Sequence, residues 1–466
     1  MLFNSWTFLI FFPIVFILYW FVVNKSVKIQ NAFLAITGFV FYGWWDWRFL
    51  LLLILSLVTD FAVGYFLQTT INTAKRKLLI IFSLAFNIGL LVVFKYYNFF
   101  AQSLQNIFSV FGLKVDFVTV NIILPVGISF YTFQSLSYTI QVYRNKMEAT
   151  KDFIAYAAYI SFFPQLIAGP IEKATQFLPK FFEKRIFNYT QATSGVKLIL
   201  WGYFKKVVIA DTCAAYVNDI FNNYTHYKGF ILIIGAVYFA FQIYCDFSGY
   251  TDIARGLAKL LGFELMLNFN YPYFAKNIRE FWHRWHISLS TWFRDYLFVP
   301  LGGSKKTINK TAINILIVFL VSGLWHGANA TFICWGLLHA LYYLPSVYIK
   351  RKEQTYSRLI NTLNIFITFA LVTFAWIFFR ANTITDAFHY INRMFHWNGI
   401  QFPGKTSAFF LILFLLMIDW VGRNNENALT GFVNKFPSVR YAMYLILAVF
   451  ILANFYQQQS FIYFQF

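Results

Sequence analysis

Residues 1–25 read MLFNSWTFLIFFPIVFILYWFVVNK. No charged residue stands before Lys25. About 20 mostly apolar residues suffice to cross the hydrocarbon of a bilayer. With no basic residues ahead of the apolar run and a cation behind it, the stretch predicts a retained first span with its N-terminus outside, not a cleaved signal peptide.

The same reading recurs along all 466 residues. The chain is 59% hydrophobic and 12% charged, and its 61 Phe and 14 Trp exceed what a soluble core uses. Candidate spans are 6–23, 31–45, 48–67, 77–100, 120–141, 153–170, 194–213, 229–248, 311–328, 330–349, 359–379, 406–422 and 441–457. The class is an all-α polytopic membrane protein with about 11–13 transmembrane helices. A net charge of +20 in such a chain sets orientation and touches anionic membrane lipid. No soluble basic domain is present to bind nucleic acid. Cys213, Cys245 and Cys334 are far apart, with no CxxC or Cys/His spacing, so neither a disulfide framework nor a metal site is expected.

Orientation follows from the cations. With the N-terminus outside, the inner loops collect Lys25, Lys28, Lys75, Arg76, Lys77, Arg144, Lys146 and Lys151. Late in the chain they collect Lys305, Lys306, Lys310, Lys350, Arg351, Lys352, Arg358, Arg423, Lys435 and Arg440. The outer loops hold only Arg48, Lys114, Arg380, Arg393 and Lys405. The bias predicts both termini outside. Residues 171–300 do not follow simple alternation, and prolines at 170, 179, 272 and 300 punctuate them. Re-entrant backbone survives at membrane depth only where protein or a wet cavity surrounds it, so a functional cavity is expected beside this region.

That region contains EFWHRWHISLSTWFRD, residues 280–295. Read as one helix over 279–296, it places Arg279, His283, His286, Ser290 and Arg294 within an arc of about 80°. Trp285, Leu289, Trp292 and Tyr296 form a stripe on another side. Two readings remain open: the wall of a polar cavity, or an interfacial helix with tryptophans in the acyl boundary. Upstream, an apolar span runs into Asp246, Ser248, Asp252 and Arg255. Carboxylates there face an interior or a cavity, or form an ion pair such as Asp252 with Arg255. Downstream, His326 interrupts a hydrophobic hairpin between Gly323 and Gly327. A buried neutral imidazole can act as a general base, or it can simply bond a neighbouring helix. For His339, later in the hairpin, the structural role is the better reading.

FFPQLIAGPI (162–171), QIYCDFSGYTDIARGLAKLLGFELMLNFNYPYF (242–274), EFWHRWHISLSTWFRDYLFVPLGG (280–303) and SGLWHGANATFICWGLLHAL (322–341) resemble the membrane-bound O-acyltransferase (MBOAT) family. The likeness runs over essentially the whole chain. It is strongest to the branch of alginate O-acetyltransferase membrane subunits, with the peptidoglycan O-acetyltransferase branch beside it. The resemblance implies one integral-membrane domain over 1–466, its catalytic core at about 120–345, and a ring of tilted helices around a central tunnel. It implies that His326 is catalytic, with a second active-site histidine at His286. Asp246, Ser248, Asp252, Arg279, His283, Ser290, Arg294 and Trp325 would line the substrate funnel.

The implied activity passes acetyl from cytoplasmic acetyl-CoA across the bacterial cytoplasmic (inner) membrane for O-acetylation of an alginate-like or peptidoglycan polysaccharide. An extracytoplasmic SGNH-type acetyltransferase would be the partner protein. Acetyl-CoA enters as a substrate, and no bound cofactor is expected. No GxSxG elbow occurs, so no serine acyl-enzyme is expected. On the residues alone, a transporter or channel with a His/Asp polar pathway is the alternative. The tail FIYFQF, 461–466, is either an aromatic belt at the outer interface or, by its likeness to tyrosine-bearing ends in this acyl-transfer system, an arm whose Tyr463 relays the acetyl group.

Overall fold

The computed structural model describes all residues except 114, 116–118, 120–122, 306, 350–356, 397–405, 457, 458, 460 and 463–466. Among the described residues the regular structure is helical, without strands. Among the described residues, seven helices are long and apolar enough to cross a membrane: Trp47–Thr69, Thr73–Val110, Phe230–Leu260, Ile308–His326, Ala330–Tyr348, Arg358–Arg380 and Pro437–Asn454. Trp6–Val22 and Ser407–Gly422 are apolar but shorter. Large apolar side chains stand outward on these helices, Phe21 at 76% exposure and Leu359 at 79% among them. In water such a surface would aggregate, whereas lipid solvates it.

The long span expected at 153–170 is not one helix. Phe153–Ile160 ends at Ser161, a single turn Phe163–Leu166 follows, and the chain then runs irregularly through Pro170. Pro164 and Pro170 cannot continue a helical ladder. The span expected at 194–213 does continue, but as a widened π-helical run, Phe204–Ala210, between Tyr189–Tyr203 and Asp211–Asn222. Of the expected inner and outer cations, Lys114, Lys306, Lys350, Arg351, Lys352 and Lys405 lie outside the described residues.

The chain divides into two compact units, Met1–Val196 with Ala254–Met266, and Lys197–Ile253 with Leu267–Phe466. In the first, Trp47–Thr69 packs on Ile128–Tyr143, and Val27–Gly43 packs on Phe153–Ile160. The buried Asp60 carboxylate accepts from Ser83 Oγ at 2.6 Å and Asn87 Nδ2 at 2.9 Å, which satisfies a charge that lipid would not tolerate alone. Trp20 Nε1 and Tyr19 OH donate to the carbonyls of Leu260 and Leu261 at 2.9 and 3.0 Å, so the end of the 31-residue helix Phe230–Leu260 is held there.

In the second unit, Thr307 caps Ile308–His326 and Asn329 caps Ala330–Tyr343, each side chain accepting a backbone N–H of the first turn. The two helices form a hairpin, and Arg358–Arg380 packs against it. Trp335 stacks on Trp376 at 5.6 Å, and Trp285 meets Trp376 at 5.2 Å. Each aromatic pair contributes about 0.5–1.5 kcal/mol beyond its area. Tyr189–Tyr203 crosses Phe230–Leu260 at Gly202 and Gly249. A Cβ on Gly202 would lie 2.7 Å from the Gly249 carbonyl oxygen, and one on Gly249 would lie 2.8 Å from that of Gly202. Only glycine allows this approach, and it sets the lysines just beyond Gly202 against the acidic part of the long helix.

Candidate active site

His286 sits at a break. The continuous helix expected over 279–296 is instead Ile278–Arg284, then Ile287–Phe293, then a π-helical turn Arg294–Phe298. At the junction His286 adopts φ 43° and ψ 54°, left-handed backbone that is uncommon outside glycine. Asn268 is the cause. Its carbonyl accepts from Ile287 N–H at 2.9 Å, and its side-chain Oδ1 accepts from Ser288 N–H at 3.2 Å and Ser288 Oγ at 2.9 Å. These bonds satisfy donors that a helix start leaves orphaned.

The same Oδ1 lies 3.2 Å from His286 Nδ1. Because Ser288 N–H fixes the amide oxygen at that point, Nδ1 carries the ring proton and Nε2 is the basic nitrogen. The break also dissolves the expected arc of polar residues. His286 is fully buried, whereas Arg279, His283 and Arg294 are exposed.

His326 ends its helix, and the chain leaves in an extended conformation at Gly327. The flanking glycines close the hairpin. A Cβ on Gly323 would lie 2.3 Å from the Phe332 carbonyl oxygen, and one on Gly327 would lie 2.1 Å from the Phe332 ring. What approaches the glycines is therefore the returning helix of the hairpin. The His326 imidazole is buried among Trp325, Trp335 and Phe379, at centroid distances of 4.9, 5.0 and 5.4 Å.

Trp325 brings the two histidines together. Its indole lies 6.3 Å from the His286 ring as well as 4.9 Å from His326. Phe247, at 4.7 Å, walls the other side of His286. Two buried imidazoles thus flank one indole in largely aromatic surroundings, where electrostatic interactions are stronger than in water. His339 has the structural role expected of it, since Trp282 Nε1 donates to its Nδ1 at 3.2 Å.

Asp246, Ser248 and Asp252 lie in an ionic network. Lys205 Nζ bonds Ser248 Oγ at 2.9 Å and Asp252 Oδ2 at 2.8 Å. Lys206 Nζ bonds Asp211 Oδ1 at 2.7 Å and Asp246 Oδ1 at 2.8 Å. The nearby Asp419 carboxylate accepts from Tyr244 OH at 2.9 Å. Both lysines belong to the π-helical run, whose wide turn buries consecutive side chains. Lys205, Lys206, Asp211, Asp419 and Asn268 were not singled out from the sequence. The available signal was two adjacent lysines in an apolar segment, since buried cations there require acids.

The C-terminal tail enters this network. Ile462 N–H donates to Asp246 Oδ2 at 2.7 Å, and Phe461 packs on Tyr250 at 5.0 Å and Phe247 at 6.1 Å. Both tail residues are buried. Tyr463 lies outside the described residues.

Arg279, His283, Ser290 and Arg294 line an open groove of about 1480 Å³. It extends along Ile308, Ile315, Phe319 and Ser322 on one side and Asn364, Ile367 and Leu371 on another. Ser322 is one turn before His326. A smaller cavity of about 390 Å³ lies at the far end of Arg358–Arg380, lined by Arg380, Tyr224 and Asp386. The Thr383 hydroxyl beside Asp386 holds its carboxyl below the usual carboxylate range.

The chain is 38% identical to the probable alginate O-acetylase AlgI of Pseudomonas aeruginosa over 412 residues, 88% of this chain and 77% of that protein. It is 32% identical to the peptidoglycan O-acetyltransferase of Helicobacter pylori over 485 residues, 97% of this chain and 90% of that protein. A teichoic acid D-alanyltransferase of Bacillus subtilis is 30% identical over 275 residues, covering 56% of this chain and 69% of that protein. The profile of the membrane-bound O-acyltransferase family matches residues 39–385, a range holding His286, His326 and the Trp325 indole between them. The helices, the paired imidazoles and this match together make the chain a multi-pass member of the membrane-bound O-acyltransferase family.

Proposed function

We propose that the protein takes acetyl from cytoplasmic acetyl-CoA and delivers it outside for O-acetylation of a cell-envelope or secreted polysaccharide. The observation that carries this reading is the pair of buried histidines, His286 and His326, in contact with the one indole of Trp325. The relatives named as alginate O-acetylase and peptidoglycan O-acetyltransferase supply the acyl group and the acceptor class. Placed in the bacterial cytoplasmic membrane with both termini outside, the start of Ile308–His326 and the end of Ala330–Tyr348 face the cytoplasm. The large groove begins at those ends and climbs toward Ser322. Lys276, Arg279 and Arg294 on its wall suit the phosphates of a CoA ester, and its apolar lining suits the acyl-bearing arm.

In the reaction an attacking hydroxyl oxygen bonds the thioester carbonyl carbon while the basic nitrogen of His326 takes its proton. Donors beside the imidazoles hold the tetrahedral oxyanion. The C–S bond then breaks, and the imidazolium returns the proton to the departing thiolate, which leaves as CoA thiol. His286, fixed by Asn268, orients the thioester. Tyr463 supplies the attacking hydroxyl. Support for this role comes from Phe461 and Ile462, which are both buried, with Phe461 packed on Phe247, the ring that lies against His286. The phenyl ester then passes acetyl to a serine hydroxyl of an extracytoplasmic SGNH-type partner. The serine oxygen bonds the acetyl carbon, the tyrosine oxygen–acyl bond breaks, and the serine proton passes to the phenolate and restores the Tyr463 hydroxyl; the step is downhill because a phenyl ester is more activated than an alkyl ester.

The test is transfer of labelled acetyl from acetyl-CoA by purified protein to such a partner. Label on the partner is expected. No turnover, combined with substrate-coupled proton flux, would instead identify a transporter. In the same assay Arg279→Glu with Arg294→Glu is expected to raise KM for acetyl-CoA about tenfold with little change in kcat, as loss of charge-assisted ground-state contacts does. An unchanged KM places the donor elsewhere. His286→Ala is expected to slow transfer by ~10² or more, and Asn268→Ala to slow it in the same direction by freeing the ring. A silent His286→Ala would reduce that residue to a packing element of the helix break.

A further inference from the structure

We propose that Lys206 and Asp246 form a clamp that grips the main chain of the C-terminal tail in one register, so that this ion pair is a peptide-binding site as well as a contact between helices. The contacts stand independently of the catalytic reading. Only the purpose of the clamp rests on the tail carrying the acetyl group.

Each member of the pair gives a bond to the tail. Lys206 Nζ donates to the Gln459 carbonyl at 3.2 Å, and Asp246 Oδ2 accepts Ile462 N–H at 2.7 Å. Asp246 Oδ1 faces Lys206 at 2.8 Å, so one carboxylate bridges the lysine and the tail. Both tail atoms are main-chain atoms three residues apart. Recognition of this kind reads position along the chain, while side-chain identity is read at Phe461, which rests on Tyr250 and Phe247.

The depth of the clamp makes the bonds mutually necessary. Asp246 lies about 24 Å along the long helix from Phe230, well inside a span. Backbone N–H and C=O groups at that depth have no water to bond. A tail that entered without partners would leave them orphaned, and the Lys206–Asp246 pair supplies one donor and one acceptor where they are needed. The ligand class is a peptide with an aromatic residue immediately before the clamped N–H. Phe247, the neighbour of Asp246 in sequence, lies 4.7 Å from the His286 ring. The clamped register therefore brings the chain just short of residue 463 to the ring that lies against His286.

Hydrogen–deuterium exchange of the tail peptide, measured on the full chain in lipid nanodiscs, tests the clamp. Ile462→Pro removes the donated N–H without touching either charged residue. It is expected to speed exchange over the tail about tenfold or more, as loss of a charge-assisted bond does, whereas Ile462→Val leaves exchange slow. Lys206→Met is expected to loosen the tail likewise. Because Ile462 lies in the tail, Ile462→Pro decides the matter even if Lys206→Met does not fold. Unchanged tail exchange in Ile462→Pro overturns the clamp. So does faster exchange confined to Phe230–Leu260 in Lys206→Met, which would make the pair a helix brace. Failure of the relay is a separate result: Tyr463→Phe with full transfer and a protected tail sinks the relay and leaves the clamp standing.

Discussion

Purified His326→Ala protein is expected to remain folded in detergent and to lose acetyl transfer by ~10²–10⁴-fold, the usual contribution of one general base. The imidazole is buried among Trp325, Trp335 and Phe379. Alanine therefore leaves a cavity as well as removing a base, and the two effects must be separated. His326→Gln does so, because the amide fills most of the volume but cannot take a proton at working pH. If His326 is the base, both variants lose transfer to a similar extent in single-turnover measurements with labelled acetyl-CoA. If it only packs, the glutamine protein keeps its rate. Elution as a single symmetric peak in size-exclusion chromatography checks the fold of each. Near-normal transfer by the glutamine protein sinks the assignment.

The second large effect concerns Tyr463. Tyr463→Phe keeps the ring and loses only the hydroxyl, so transfer to the partner is expected to fall to background while the protein stays folded. Peptide mass spectrometry of the parent protein, quenched during turnover, should show one acetyl group on the C-terminal peptide. The variant should show none. The burial of Phe461 and Ile462 motivates this expectation, because a tail acting only as an interface belt would keep its aromatic residues among the headgroups. Full acetylation by Tyr463→Phe would sink the relay.

Membrane class and the hairpin that carries His326 were legible because both rest on local signals. The expected spans 311–328 and 330–349 lie within a few residues of Ile308–His326 and Ala330–Tyr348. Apolar composition states these spans directly, and Thr307 and Asn329 mark the helix starts. The break at His286 was not legible, because its cause lies eighteen residues upstream in the side chain of Asn268. A helical-wheel argument assumes that the wheel is unbroken. It placed His286 with Arg279 and Arg294, whereas the structure buries the histidine and leaves the two arginines on the groove. Asp252 shows the same limit. A local pairing with Arg255 was one of the readings left open, and Lys205, far away in sequence, supplies a salt bridge at 2.8 Å that spacing does not reveal. Spacing reveals neighbours along the chain, while charges buried at membrane depth find partners across it.

The crossing of Gly202 and Gly249 has a consequence for how substitutions combine. The helices meet so closely that a single methyl group at either position would press on the opposing carbonyl, and Lys206 lies just beyond the contact, with its backbone nitrogen 3.0 Å from where a Cβ on Gly249 would sit. A steric wedge there would also draw the lysines away from Asp246 and Asp252, turning an overlap of atoms into charges stranded in hydrocarbon. Damage at the glycines and damage at the ion pairs would therefore overlap instead of adding. A double variant of Gly249 and Lys206 would cost little more than the worse of the two alone, which makes the close crossing and the salt bridges a single inherited unit.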